Sequence, residues 1–387
     1  MTDIIQLFSG IGIIIDDQIN DEKSSIGKVV SSFKEKHIPF LTYSKLPPDE
    51  EIQMFHSVSF VLLDWKWDVD ATDEFLLREN INFINQLHQI CFTPVFVFTD
   101  EDPDSIITSL TTESVYSVTK NNLLFVKHKS EVDTSEKLFS AIENWTKNTL
   151  PVYIIKEWES KKRIASNNLF LSLYNLNPNW VKIFLKTSER DGVDTAYELD
   201  ELLFENLHSQ MSRIDLTNLS IQNEEEFNCN AKEIRDIMQG QRFLPAEKIS
   251  LDMIFTGDVF LVENEDEKEY YINVRPQCDC IPRNGAMLDD IALYLLKGTE
   301  KTIEKCHYNK KDGSFSDIET RVTVFPINHK AIQFELGEFS IKKYSEMRDM
   351  RIGRLLPPFI TKLVQKYALY MQRQALPRIP EEATIID

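Results

Sequence analysis

The feature that most limits what this chain can fold into is a series of short, continuously apolar runs within residues 9–150. Four of them have the sequences GIIID, VSFVLLD, PVFVFT and LLFVK, and runs without polar alternation are typical of strands covered on both faces. The stretches between the runs are amphipathic, and one carries Ile26, Val29, Val30 and Phe33 at helical spacing. With a further strand at PFLTY, the pattern predicts five strands that alternate with five helices. The expected fold is a doubly wound parallel α/β sheet.

The remainder of the chain has a different pattern, which predicts an α+β region. We expect residues 151–222 to be mainly helical, residues 223–340 to be rich in strands, and residues 341–387 to form a basic helical segment. Two further helices are predicted at AMLDDIALYLLKG and PPFITKLVQKYALYMQRQ, and the polar stretch SIQNEEEFN is predicted to be a linker. No P-loop, G-x-G-x-x-G, H-E-x-x-H or G-x-S-x-G motif occurs, so no motif nominates an enzymatic activity for this region.

Charge and cysteine content limit the environment and the partners. The formal net charge is −19, which argues against broad nucleic-acid binding because phosphate contacts need clustered Lys and Arg. The charge is uneven: residues 1–150 hold 24 acidic and 12 basic side chains, whereas residues 341–380 hold 2 acidic and 9 basic ones. Five scattered cysteines, with neither a signal-peptide pattern nor an apolar run of membrane-spanning length, predict a cytoplasmic protein without membrane contact.

Polar residues stand where the predicted strands end. Asp16 and Asp17 follow the first strand, Asp64 ends the third, Thr99 the fourth and Lys127 the fifth. In open parallel sheets, sites form beyond the carboxyl ends of the strands, where the strand order reverses. For a 2-1-3-4-5 order, that place brings the three aspartates together, with Thr99 and Lys127 beside them. Clustered carboxylates attract a hard divalent cation, and Mg²⁺ suits a site of few carboxylates, waters and a phosphate oxygen.

The motifs IIIDDQ, FVLLDWK, VFVFT and LLFVK resemble, in type, order and position, those of the receiver domain of two-component response regulators. The resemblance covers residues 9–150 and implies a flavodoxin-like fold. It implies that Asp64 accepts a phosphoryl group from a sensor histidine kinase. It further implies that Mg²⁺ is held by the side chains of Asp16, Asp17 and Asp64 with the backbone carbonyl of Lys66, and that Thr99 and Lys127 bind phosphoryl oxygens.

Several positions depart from the receiver pattern, including that of the aromatic switch residue, which falls on Leu124. Asp100 stands after Thr99 where receivers usually have a small residue, and His128 stands after Lys127 where they usually have proline. These departures leave open a degenerate receiver that keeps the fold without accepting phosphate.

Other interpretations of the same residues concern helix capping, packing and zinc. Asp16 and Asp17 are also suited to capping a helix, and Trp65 and Trp67 are expected to shield the loop beside Asp64. A zinc site would use Cys278, Cys280, Cys306 and His307, but C-x-C and adjacent Cys-His are not the usual zinc spacings. The favoured interpretation is that these residues are instead small buried residues of a β-rich domain.

The sequence therefore predicts a phosphorylation-responsive signalling protein that controls a non-DNA-binding output or a separate effector protein. A second copy of the chain, forming a homodimer, is a further candidate partner, and nucleic acid is not expected to be one. The alternatives are a phosphate sink or adaptor, a degenerate receiver scaffold in a bacterial defence system, and a DNA-binding regulator or enzyme effector.

Overall fold

The structure is a computed structural model that describes residues 8, 10–113, 123–216, 229–263, 268–315, 318–374 and 380–384. It divides into two compact units. The first unit comprises Met1–Pro178 with Leu203–Gln222, and the second comprises Asn179–Leu202 with Asn223–Asp387. Among the described residues, no helix is both long and apolar enough to cross a bilayer. The predicted linker SIQNEEEFN lies outside the described residues.

The first unit is built on a parallel sheet of five strands. The strand order is β2-β1-β3-β4-β5, and every neighbouring pair is parallel. This order confirms the predicted doubly wound α/β fold and is consistent with a flavodoxin-like arrangement. The strands are β1 (Ile11–Ile15), β2 (Phe40–Tyr43), β3 (Val58–Asp64), β4 (Val95–Thr99) and β5 (Leu124–His128).

Helices cover both faces of this sheet, as the continuous apolar runs require. They are α1 (Ser25–Glu35), α2 (Asp49–Ile52), α3 (Asp73–Ile90), α4 (Pro103–Thr112), α5 (Ser135–Asn148) and α6 (Leu150–Leu176). Buried side chains of α3 and α4 pack on one face of the sheet, and those of α1 and α5 pack on the other. All seven residues of β3 are buried in consequence, so the central strands are covered on both sides.

Gly12 shows how closely one face of the sheet is packed. It lies beside Phe60 in the register of β1 and β3, and a Cβ atom at Gly12 would lie 2.1 Å from the Phe60 ring. The ring therefore fills the space that a side chain on β1 would need. A glycine within an otherwise branched apolar strand is explained by this close approach.

The second unit contains an antiparallel sheet of seven strands in the order β12-β13-β9-β8-β7-β14-β6. Its strands are β6 (Phe243–Pro245), β7 (Asp258–Glu263), β8 (Lys268–Asn273), β9 (Ala292–Lys301), β12 (Arg321–Ile327), β13 (Lys330–Lys343) and β14 (Arg351–Leu355), and β10 (Tyr308–Asn309) with β11 (Ser314–Phe315) forms a separate hairpin. The remaining helices are α7 (Trp180–Asp191), α8 (Thr195–Gln210), α9 (Ala231–Arg242), α10 (Tyr344–Met347) and α11 (Phe359–Gln372), and the part of α8 from Leu203 on belongs to the first unit. Within residues 151–222, which the sequence predicts to be mainly helical, α6, α7 and α8 lie in the described part up to residue 216, and residues 217–222 lie outside it.

One predicted helix is wrong. The segment AMLDDIALYLLKG contributes instead to β9, which pairs with β8 on one side and β13 on the other. Leu293, Leu295 and Leu296 are fully buried in this strand, whereas Ala292 and Tyr294 are only partly buried. Because strand partners far along the chain satisfy the β9 backbone, tertiary pairing overrides the helix-like spacing.

The C-terminal region is only partly the helical segment that the sequence predicts. The boundary expected at residue 340 falls inside β13, and β14 follows before the helix begins. The helix at the double proline is confirmed as α11, which buries Ile360 and Leu363 in the core of the second unit.

Candidate functional site

Three carboxylates meet at the carboxyl edge of the parallel sheet. Asp16 follows β1 and Asp64 ends the neighbouring β3, so the strand order places their side chains side by side. Each of Asp16, Asp17 and Asp64 offers a carboxylate oxygen, and these oxygens lie within 4.8 Å of one another. Asp16 and Asp64 are only 1% and 4% exposed, so their mutual repulsion is poorly screened by water.

Local hydrogen bonds fix the two buried carboxylates. Asp16 Oδ1 accepts from the backbone N–H of Gln18 at 2.8 Å, and Asp64 Oδ1 accepts from the N–H of Lys66 at 3.3 Å. Neither aspartate caps a helix, because α1 begins later and its N-cap is Ser24, whose side chain accepts from Gly27 N. The helix-capping alternative for Asp16 and Asp17 is therefore wrong.

Lys129 supplies the cationic charge at this edge. Its Nζ lies 3.0 Å from Asp64 Oδ2, 3.4 Å from Asp16 Oδ2 and 3.7 Å from Asp100 Oδ2. The Lys129 side chain is 12% exposed, so the ammonium is largely withdrawn from solvent. A buried ion pair of this kind compensates charges that would otherwise be costly to bury.

Lys127 was expected beside the carboxylates, and the structure corrects that placement. Its Nζ pairs with Glu131 at 2.9 Å, and the side chain is 37% exposed. Lys127 is still within β5, paired in register with Phe98, whereas Lys129 lies just beyond the strand end. Lys129 therefore takes the position predicted for Lys127. The sequence signal was present as the second lysine of Lys-His-Lys.

The surroundings shift the pKa values of Asp64, Asp16 and Lys129. Burial raises the pKa of Asp64 to about 6, Lys129 opposes that rise, and Asp16 adds to it. Burial likewise raises the pKa of Asp16, against the attraction of Lys129. Burial disfavours the Lys129 ammonium, but its carboxylate neighbours outweigh this and raise its pKa. Asp64 is thus a carboxylate with an unusually high proton affinity, held next to a cation.

Thr99 is fully buried at the end of β4, the strand next to Asp64. Its Oγ1 accepts from the backbone N–H of Glu101 at 3.0 Å, which leaves the hydroxyl proton available to another acceptor. The loops after β3 and β4 are joined by Lys66, whose Nζ lies 2.6 Å from Glu101 Oε1 and 3.1 Å from Asp73 Oδ1. The two loops that flank Asp64 are therefore linked by an ion pair.

Asp100 and His128, two of the residues at which the sequence departs from the receiver pattern, contact each other. His128 Nε2 lies 3.2 Å from the backbone carbonyl of Asp100, and Ser130 N donates to His128 Nδ1 at 3.2 Å. Because Nδ1 accepts, Nε2 carries the proton and donates to Asp100. His128 thereby ties the end of β5 to the loop after β4, while the Asp100 side chain stays 76% exposed.

Trp65 and Trp67 pack into the core beneath the loop that follows Asp64. Both are 5% exposed. The buried side chain of Asn80 on α3 accepts from Trp67 Nε1 at 2.8 Å and donates to the Trp65 carbonyl at 2.9 Å. The two indoles therefore pack beneath the loop, consistent with the predicted shielding role, and Asn80 anchors the loop through the Trp67 indole and the Trp65 carbonyl.

The donor set fits a hard divalent cation. Among the described residues, Asp16, Asp17 and Asp64 form the sole group of three or more candidate ligands within binding distance, and all donors are carboxylate oxygens. Oxygen donors of this kind suit Mg²⁺. Cys278, Cys280, Cys306 and His307 form no such group among these residues; Cys280 and Cys306 are buried and Cys278 is exposed, so the zinc alternative is not supported by their placement.

Comparison with known proteins adds little. No family model matches the chain, and no curated protein matches it. One solved structure that matches is described as a yeast Spc42 trimeric coiled-coil segment, amino acids 181–211, in a fusion. It is 13% identical, the match covers 43% of this chain and 96% of that one, and the TM-score is 0.26. A score this low carries no argument about fold or function.

Proposed function

We propose that the first unit is a phosphoryl-accepting receiver domain and that the protein transmits a phosphorylation signal. The observation that carries the proposal is the buried Asp64 carboxylate held 3.0 Å from the Lys129 ammonium beside two further aspartates. A sheet edge that collects three carboxylates and one buried lysine is costly as a purely structural feature. It is well suited to phosphoryl transfer, which depends mainly on positioning and charge compensation.

In the proposed reaction, an Asp64 oxygen attacks the phosphorus of a phosphohistidine on a sensor kinase. The new Oδ–P bond forms as the P–N bond breaks, the electron pair stays on the histidine nitrogen, and Asp64 becomes an aspartyl phosphate. Lys129 compensates the negative charge of the phosphoryl oxygens, and the Thr99 hydroxyl donates to one of them. Asp16, Asp17, Asp64 and the Lys66 carbonyl would hold Mg²⁺, which when bound supplies charge neutralisation to the incoming phosphoryl group.

The signal follows from a change of partners at Lys129. Before transfer its ammonium pairs with Asp64 and Asp16; afterwards the phosphoryl oxygens compete for it. The end of β5 and the loop after β4 would shift with it, because His128 connects them. Such a population shift is how a local charge change reaches an output, here the second unit or a separate effector protein in the cytoplasm.

The test is intact mass after incubation with acetyl phosphate and Mg²⁺. We expect one added phosphoryl group on the parent protein and none on Asp64→Asn. Asp70→Asn, which alters an exposed aspartate in the loop after β3, is the matched control and should behave like the parent. Absence of added mass on the parent, even with a cognate kinase supplied, would refute the proposal and favour a degenerate receiver that acts as a scaffold.

A further inference from the structure

Asp100 shares its cation with the proposed phospho-acceptor. Its Oδ2 lies 3.7 Å from Lys129 Nζ, the same atom that lies 3.0 Å from Asp64 Oδ2. One ammonium group therefore separates the two carboxylates. A phosphoryl group bonded to Asp64 and paired with Lys129 would therefore share its cation with Asp100.

Neighbouring residues position the backbone of Asp100, while its side chain stays accessible to solvent. Thr99 before it is fully buried, and the Asp100 carbonyl accepts from His128 Nε2 at 3.2 Å. The Asp100 side chain itself is 76% exposed, so water reaches it freely. Its backbone is fixed by its neighbours, and its carboxylate lies at the boundary between solvent and the buried site.

A structural role for the Asp100 carboxylate is weakly supported. At 3.7 Å and 76% exposure, its ion pair with Lys129 is of the kind that contributes little to stability. Lys129 also has two closer, buried carboxylate partners in Asp16 and Asp64. The Asp100 carboxylate is therefore not needed to compensate the charge of the Lys129 ammonium.

We infer that Asp100 is a general base for hydrolysis of the aspartyl phosphate and limits the lifetime of the phosphorylated state. The inference rests on the proposed function of Asp64. A water oxygen attacks phosphorus while its proton passes to the Asp100 carboxylate. The bond between phosphorus and Asp64 breaks, its electron pair returns to the Asp64 carboxylate, and inorganic phosphate leaves. Asp100 then gives its proton to solvent.

The experiment follows decay of the phosphorylated protein by intact mass. The chain is phosphorylated with acetyl phosphate and Mg²⁺, desalted, and sampled over time with Mg²⁺ present and again in EDTA. General-base catalysis commonly contributes a factor of 10²–10⁴, so we expect Asp100→Asn to slow decay about 100-fold. The slowing should persist in EDTA, because Asp100 acts on water rather than on the cation. Asp104→Asn, an equal change of charge on an exposed residue, should decay at the parent rate.

Chemical rescue separates proton transfer from simple charge repulsion. In Asp100→Ala, added imidazole should accelerate decay in proportion to its concentration, whereas it should leave the parent unchanged. A parent that is phosphorylated but decays at the same rate as Asp100→Asn would overturn this inference and leave the proposed function standing. Slower decay in Asp100→Asn without imidazole rescue of Asp100→Ala would assign the effect to charge and also overturn it. A parent protein that never gains a phosphoryl group would refute both this inference and the proposed function.

Discussion

At the scale of single residues, two lysines that are two positions apart lie in different surroundings, and only one of them belongs to the site. Lys129 is 12% exposed between buried carboxylates, whereas Lys127 is 37% exposed and pairs with Glu131. Lys129→Met removes one partner of a buried ion pair, so we expect it to lower the free energy of unfolding by about 3 kcal/mol. Lys127→Met should change it by less than about 0.5 kcal/mol. Urea unfolding of both variants checks this, and equal losses would contradict the assignment of Lys129 to the site.

The raised pKa of Asp64 makes stability depend on pH. The pKa of Asp64 rises from 3.8 to about 6 on folding, so protonation of Asp64 stabilises the folded state. This stabilisation is fully present below pH 4 and is lost as the pH rises through about 6. Asp64→Asn removes one buried negative charge, while Asp16 still compensates the Lys129 ammonium. In EDTA we expect the variant to be more stable than the parent at pH 7.5 by up to about 3 kcal/mol, with the difference vanishing near pH 4. Chemical unfolding at several pH values measures it, and a difference independent of pH would argue against the shift.

At the scale of elements, the loop after β3 depends on α3 for its position. Asn80 bonds both the Trp65 carbonyl and the Trp67 indole, and it is fully buried. Asn80→Ala would leave both groups buried without a partner, which costs about 2–3 kcal/mol of unfolding free energy. It should also slow phosphorylation of Asp64, whose loop loses its anchor. Asn82→Ala, on an exposed position of the same helix, is the control, and equal effects of the two would contradict this anchoring role.

At the scale of the whole molecule, each unit has its own apolar cores. The second unit also contains Asp258, a fully buried carboxylate that accepts from Arg351 Nη1 at 3.2 Å and Arg354 Nε at 2.6 Å. Asp258→Ala leaves these cations without their carboxylate, and we expect the second unit to lose about 3–5 kcal/mol.

Separate cores predict two thermal transitions in calorimetry. Mg²⁺ at a hundred times its dissociation constant should raise only the transition of the first unit, by a stabilisation of about 2.7 kcal/mol. Asp258→Ala should lower only the other transition. A single transition that responds to both changes would show that the units unfold together.

The sequence predicted the parts of the protein that local patterns encode. Continuous apolar runs with amphipathic stretches between them predicted the parallel sheet and its helices. Aspartates at strand ends predicted the carboxylate cluster, because a period of two residues and the order of parallel strands fix where a strand-end side chain lies.

Tertiary structure decided what depends on partners distant along the chain. Lys129, rather than Lys127, faces the carboxylates because the register of β5 against β4 places only the later lysine beyond the sheet edge. Residues 292–301 form a strand because β8 and β13 lie on either side of them. Asp100 reaches the site because Lys129 and His128 meet it from another strand end. In each case the deciding energy is long-range pairing or charge compensation, which the spacing of residues along one segment does not contain.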